Sequence, residues 1–98
     1  MSDSINLHDG SRLSVPEQVL ARRAAGETVL LNLANEQYYG LDGVGSRLWE
    51  LIEAGITFGQ ALAALLEEFD VAQEVLRADL NTVLADLSTN GLVLVDAA

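Results

Sequence analysis

The stretch Glu27–Trp49, ETVLLNLANEQYYGLDGVGSRLW, decides the fold. Thr28–Leu33 alternates, with Val29, Leu31 and Leu33 on one side, which is the period of a strand. Ala34-Asn35 is a turn signal. Glu36–Leu41 alternates again, with Tyr39 and Leu41 on one face and Tyr38 on the opposite one. Two such runs around Asn-containing turn chemistry make a β-hairpin. Asp42-Gly43 breaks the period of two, and from Val44 onward the apolar residues fall at helical spacing. The second strand, Glu36–Leu41, is predicted to be an exposed edge and the working part of the protein.

Upstream of the hairpin, Pro16 biases Val15 to an extended geometry, and residues 1–13 read as a disordered tail ahead of one domain over 14–96. Gln18–Ala24 is a candidate first strand that turns at Ala25-Gly26. Downstream, three helices follow. The first runs from about Gly43 to Ala54, with Val44, Leu48, Leu51 and Ile52 as its buried stripe, Trp49 at the core edge and Gly55 as a stop. The second opens at Thr57, whose Thr57-x-x-Gln60 spacing is a capping box, and buries Phe58, Leu62, Leu65, Leu66 and Phe69. The third covers about 72–88, opened by an Asp70-x-x-Gln73 cap, with Leu76, Leu80, Val83, Leu84 and Leu87 inward. Beside that stripe lies a second one of Val75, Asp79, Thr82 and Asp86. Asn90-Gly91 ends the helix, and Leu92–Val95 is a short final strand. The fold class is therefore α+β and winged-helix-like: a three-stranded antiparallel meander, a three-helix bundle and a short C-terminal strand.

Composition restricts the chemistry. The chain has 98 residues, half of them hydrophobic, enough for one small core. It has no cysteine, so disulfides and thiolate metal sites are excluded. No apolar run approaches the roughly 18 residues of a membrane span, and the polar, acidic N-terminus is no signal peptide; a cytoplasmic location follows as the expectation. Fifteen carboxylates stand against five basic residues, all arginine, for a net charge of −10. That balance repels nucleic acid and anionic lipid and favours a cationic partner; it also serves plain solubility.

Catalytic and metal signatures are missing. His8 is the single histidine and falls in the expected tail, so no Ser-His-Asp or Cys-His arrangement can be assembled. Glu67, Glu68 and Asp70 lack the spacing of a calcium loop and read as a solvated helix end. GLDGVG has the wrong spacing for a dinucleotide fingerprint, and Asp42 would repel phosphate; its glycines read as a strand-to-helix corner. The third helix carries Arg77 against Glu74, Asp79 and Asp86, a poor face for a DNA groove. The expectation is no enzyme, no cofactor and no metal.

The hairpin VLLNL…YYGLD, the Leu48-Trp49-Glu50-Leu51 helix, the Thr57-led helix and DLNTVLADLSTNGLV together span about Pro16 to Val95. In these segments the chain resembles the PqqD-like proteins, whose fold is the RiPP recognition element. It is most similar to the stand-alone recognition proteins of lasso-peptide biosynthesis. The resemblance implies a non-enzymatic partner that binds the leader of a ribosomally made precursor peptide and presents it to a leader peptidase and a macrolactam synthetase. It also implies that the leader adds as an antiparallel strand and packs against the third helix. Carried onto this sequence, the peptide-binding set is Glu36, Gln37, Tyr38, Tyr39, Gly40 and Leu41 on the edge, with Val75, Asp79, Thr82, Val83 and Asp86 on the helix. Strand addition draws affinity from main-chain pairing and selectivity from side-chain pockets. For Tyr38 and Tyr39 ordinary sheet packing is the competing role, and for Asp79 and Asp86 a solvated helix face. Two other functions compete: a PQQ-pathway peptide carrier docking on a radical-SAM enzyme, and a winged-helix DNA-binding regulator.

Overall fold

A computed structural model describes residues 7–96. In order, the elements are β1 (Arg12–Ser14), β2 (Val19–Ala24), β3 (Glu27–Asn32), β4 (Gln37–Leu41), α1 (Gly43–Glu53), α2 (Phe58–Glu68), α3 (Gln73–Thr89) and β5 (Leu94–Asp96). β2, β3 and β4 form an antiparallel meander, and β1 pairs with β5 in a separate two-stranded ribbon. The chain is thus α+β, with three meander strands, three helices and a C-terminal strand, as the hydrophobic periods imply.

The meander turns where the chain allows left-handed backbone. Ala24 pairs with Glu27 across a two-residue loop, and both loop residues, Ala25 and Gly26, have positive φ. That is the geometry whose twist matches the flanking strands. Between β3 and β4, Asn32 organises the turn. Its carbonyl accepts from Glu36 N–H, its Oδ1 accepts from Ala34 N–H at 3.0 Å, and Glu36 takes a φ of 58°.

The hairpin's inner face differs from the simple apolar alternation. Thr28, Leu30 and Asn32 are buried, whereas Val29 and Leu33 are about half exposed at 47% and 53%. The register explains the reversal. Leu41 must be buried under α1, and its sheet-face neighbours across the hairpin are Thr28, Leu30 and Asn32, paired with Leu41, Tyr39 and Gln37. A period of two then sends Val29, Leu31 and Leu33 to the other side. The sheet's outer face consequently carries Leu20, Val29, Leu33 and Tyr38 in the open.

The helices close the inner face. α1 buries Leu48, Trp49 and Ile52. Trp49, expected at the core edge, is fully enclosed, and its indole N–H has no partner. α2 carries the complete Thr57/Gln60 capping box and buries Phe58, Ala61, Leu62 and Leu65. Arg47 holds Glu68 through two hydrogen bonds of 2.8 and 3.0 Å, tying α1 to the end of α2. α3 ends in a Schellman motif: Leu92 N–H reaches Leu87 C=O, Gly91 N–H reaches Ser88 C=O, and Gly91 has φ 70°. A Cβ at Gly91 would also lie 3.0 Å from the Asn32 side-chain nitrogen.

Two expectations are corrected. Of the residues 1–13 assigned to a tail, 1–6 lie outside the described residues and 7–13 belong to the fold. Leu7 packs on the core, Ser11 and Leu13 are buried, and Arg12–Ser14 is β1. The cause is backbone pairing at the start of α2: Phe58 N–H donates to Ser11 C=O and Gly59 N–H to Asp9 C=O. These bonds satisfy orphan amides of the helix. The second correction concerns Asp70, which does not cap α3. The N-cap is Ala72, with no side-chain bond, because Val71 packs on the core and sets where the helix enters.

A strand edge beside an acidic groove

β4 is the outer strand of the meander. Which of its backbone groups face outward follows from the loop bonds. Leu33 N–H donates to Gln18 C=O, toward β2, and Asn32 C=O accepts from Glu36, toward β4. Alternation along β3 then points Thr28, Leu30 and Asn32 at β4, so Leu41, Tyr39 and Gln37 pair inward. Tyr38 and Gly40 are left with N–H and C=O directed away from the sheet. No other described strand pairs with that edge.

Beside the edge lies an open groove of about 870 Å³ between β4, the start of α1 and α3. Tyr39, Gly40 and Leu41 form one wall, and Asp79, Thr82 and Val83 the other. Leu76, Leu80, Phe69 and Val71 supply its apolar floor. Glu27, Asp42, Asp70 and Asp79 bring carboxylates to it, and no arginine lines it. α3 runs back along β4. Asn32, just before β4, donates from its side chain to the Asn90 and Gly91 carbonyls at 3.2 and 3.3 Å, while Leu41 at the other end shares the groove with Leu76.

Tyr39 bridges the two walls. Its hydroxyl donates to an Asp86 carboxylate oxygen at 3.2 Å. Partial burial raises the phenol's pKa above the ordinary value, and the charge and hydrogen bond of Asp86 push it the same way. Elsewhere, the Arg47 hydrogen bonds hold the Glu68 carboxyl below the usual glutamate range.

The sequence-derived set is therefore divided. Tyr39, Gly40, Leu41, Asp79, Thr82 and Val83 meet at the groove. Tyr38 is 77% exposed and its ring lies on the sheet's outer face, although its backbone is on the open edge. Glu36 belongs to the turn rather than the strand, and Gln37 N–H is taken by Asn35 Oδ1. Val75 is exposed and does not line the groove; it shares Asp79's helix face, one turn nearer the start of α3. Asp86 stands at the groove's end, engaged by Tyr39. Thr82 Oγ1 donates to Ala78 C=O within its own helix, so it offers a ligand only an acceptor.

Sequence reasoning passed over Phe69, Leu76 and Leu80 because their apolar spacing reads as core, and over Val71 because it falls in a short connection between helices. It passed over Glu27, Asp42 and Asp70 because acidic turns are common surface chemistry. Among the described residues no cluster of His, Cys, Asp or Glu is placed to hold a metal, and no helix is long and apolar enough to cross a membrane.

Comparison with known proteins gives two matches. Residues 27–93 fit the family model described as Coenzyme PQQ synthesis protein D (PqqD). A solved structure described as "TbiB1 in Complex with the TbiA(beta) Leader Peptide" superposes with a TM-score of 0.78 at 32% identity, covering 82% of this chain and 93% of that one. No curated protein matches the chain.

Proposed function

The chain belongs to the PqqD family, and from that premise we propose that it is a RiPP recognition element: it binds the leader of a precursor peptide by strand addition to β4. The single observation that carries this is the open Tyr38–Gly40 backbone edge beside a groove with an apolar floor and acidic walls. A leader strand laid antiparallel to β4 pairs with those outward N–H and C=O groups. Its alternate side chains drop toward Leu76, Leu80 and Val83, and the others join the outer face. The likeness to TbiB1, a structure held with a leader peptide, supports the same occupant.

The finer reading is a lasso-peptide pathway, in which the loaded domain delivers its leader to a leader peptidase and a macrolactam synthetase and performs no chemical step itself. The outer sheet face, with Leu20, Val29 and Leu33, stays clear of the groove and so remains accessible while a leader is held. The family description favours a second reading, a PQQ-pathway peptide carrier serving a radical-SAM enzyme. The two differ in the peptide bound, so the cognate precursor decides between them.

The test is a titration of labelled cognate leader against wild type and Tyr38→Pro. Binding is expected at about micromolar or tighter. Proline at 38 removes an outward donor without touching the β3 ladder, and edge strands tolerate it. Affinity should fall about tenfold or more with the melting transition retained. Equal affinity for both proteins refutes strand addition.

A further inference from the structure

We infer that the leader segment held by this groove is basic at its N-terminal end, with Lys or Arg immediately upstream of the residues that enter the groove. This rests on the strand-addition reading and gives it direction and charge. Direction follows from the antiparallel addition proposed above. A strand antiparallel to β4 enters at the Leu41 end, where the groove meets Leu76, and leaves past Gln37, where Asn32 is tied to Asn90 and Gly91.

Charge is distributed unevenly along that path. Asp42 follows Leu41 directly, Glu27 precedes Leu41's cross-strand partner Thr28, and Asp70 lies just ahead of α3. Asp79 follows nearly two turns into the helix. All four line the groove, and none of them holds an ion pair among the described residues. The arginines do not neutralise them. Arg23, Arg47 and Arg77 are engaged with Glu50, Glu53, Glu68 and Asp9. Arg12 and Arg22 sit on β1 and β2, away from the groove.

At the exit end the situation is different. Asp86 already accepts the Tyr39 hydroxyl and does not line the groove. A cation placed upstream therefore meets four groove carboxylates with no ion pair among the described residues, whereas one placed downstream meets Asp86, already in use, and Glu36, which lies on the turn outside the groove. An acidic upstream residue would add like charge at the entrance, and an apolar one would leave the carboxylates unused. The groove and the open edge make the site; the carboxylates set which leader it prefers.

Fluorescence anisotropy with the synthetic cognate leader tests this at about 20 mM and about 300 mM salt, the higher value screening exposed pairs beyond a few ångströms. Each upstream Lys or Arg changed to Gln should weaken low-salt binding about two- to fivefold, the range of an exposed ion pair. The same change downstream should have a clearly smaller effect. Asp70→Asn with Asp79→Asn should reproduce the upstream loss and reduce the salt dependence, with an unchanged melting curve. A cognate leader that binds with no upstream cation overturns the inference, as does equal sensitivity at both ends. Complete failure of the leader to bind refutes strand addition itself, a separate outcome.

Discussion

Asn32 is the residue on which the hairpin, the end of α3 and the groove jointly depend, and its removal makes a quantitative prediction. The side chain is buried at 2% exposure. Its nitrogen serves the Asn90 and Gly91 carbonyls, and its oxygen serves Ala34 N–H. Asn32→Ala deletes all three bonds and strands two helix-end carbonyls in a partly buried place. At about 1 kcal/mol net per bond, more where a buried group is left unpaired, the cost is roughly 2–4 kcal/mol. Asn32→Asp should cost more at neutral pH, because a carboxylate then faces two carbonyl oxygens. Its deficit should shrink in acid, where the protonated carboxyl can donate again. Urea unfolding is the assay. With a slope of about 1–1.5 kcal/mol/M for a domain of this size, Asn32→Ala should lower the midpoint by about 2 M without changing the slope. A midpoint shift under about 0.5 M, or Asn32→Asp as stable as Asn32→Ala at pH 7, would show that this side chain does not join the hairpin to the helix.

Two further outcomes are expected. Ala25 is held at φ 55° in the β2–β3 turn; Ala25→Asn relieves left-handed strain and should stabilise the domain by about 0.5–1 kcal/mol, read as a higher melting temperature. Tyr39 has a raised pKa, so its contribution is present below the ordinary tyrosine value and is lost as pH climbs through the higher folded value. Alkaline unfolding should therefore be less steep in Tyr39→Phe than in wild type, and identical curves would show that the Tyr39–Asp86 bond carries no stability.

Much of this fold is written in local patterns. The Thr57/Gln60 box, the Gly91 stop and the leucine stripes of α2 and α3 are short-range features, and each stands where its spacing puts it. The features that escaped are those fixed by distant partners. Val29, Leu31 and Leu33 are the obvious apolar face of β3, yet Thr28, Leu30 and Asn32 are inside because Leu41 dictates the register. Likewise β1 exists because β5, more than eighty positions later by its Leu13–Val95 pairing, offers it a ladder. The groove was half legible for the same reason. Tyr39, Asp79 and Thr82 could be placed from strand and helix periods. Phe69 and Val71 could not, since only the packing of the α2–α3 connection brings them to the floor.

An unpaired strand edge is a hazard, and proteins ordinarily blunt one with lysine, proline or a bulge. β4 carries none of these across Gln37–Leu41. What guards it is the sign of its flanks. A second copy adding antiparallel about Tyr39 would set Glu36 opposite the second copy's Asp42, and Asp42 opposite the second copy's Glu36. Like charges opposed across a strand pair are destabilising, and the net charge of −10 adds long-range repulsion between copies. A basic peptide arriving at the same edge meets the reverse field. The acidic composition, which on its own reads as solubility, thus separates two uses of one backbone edge: it disfavours the protein's own strand there and favours a strand of opposite charge.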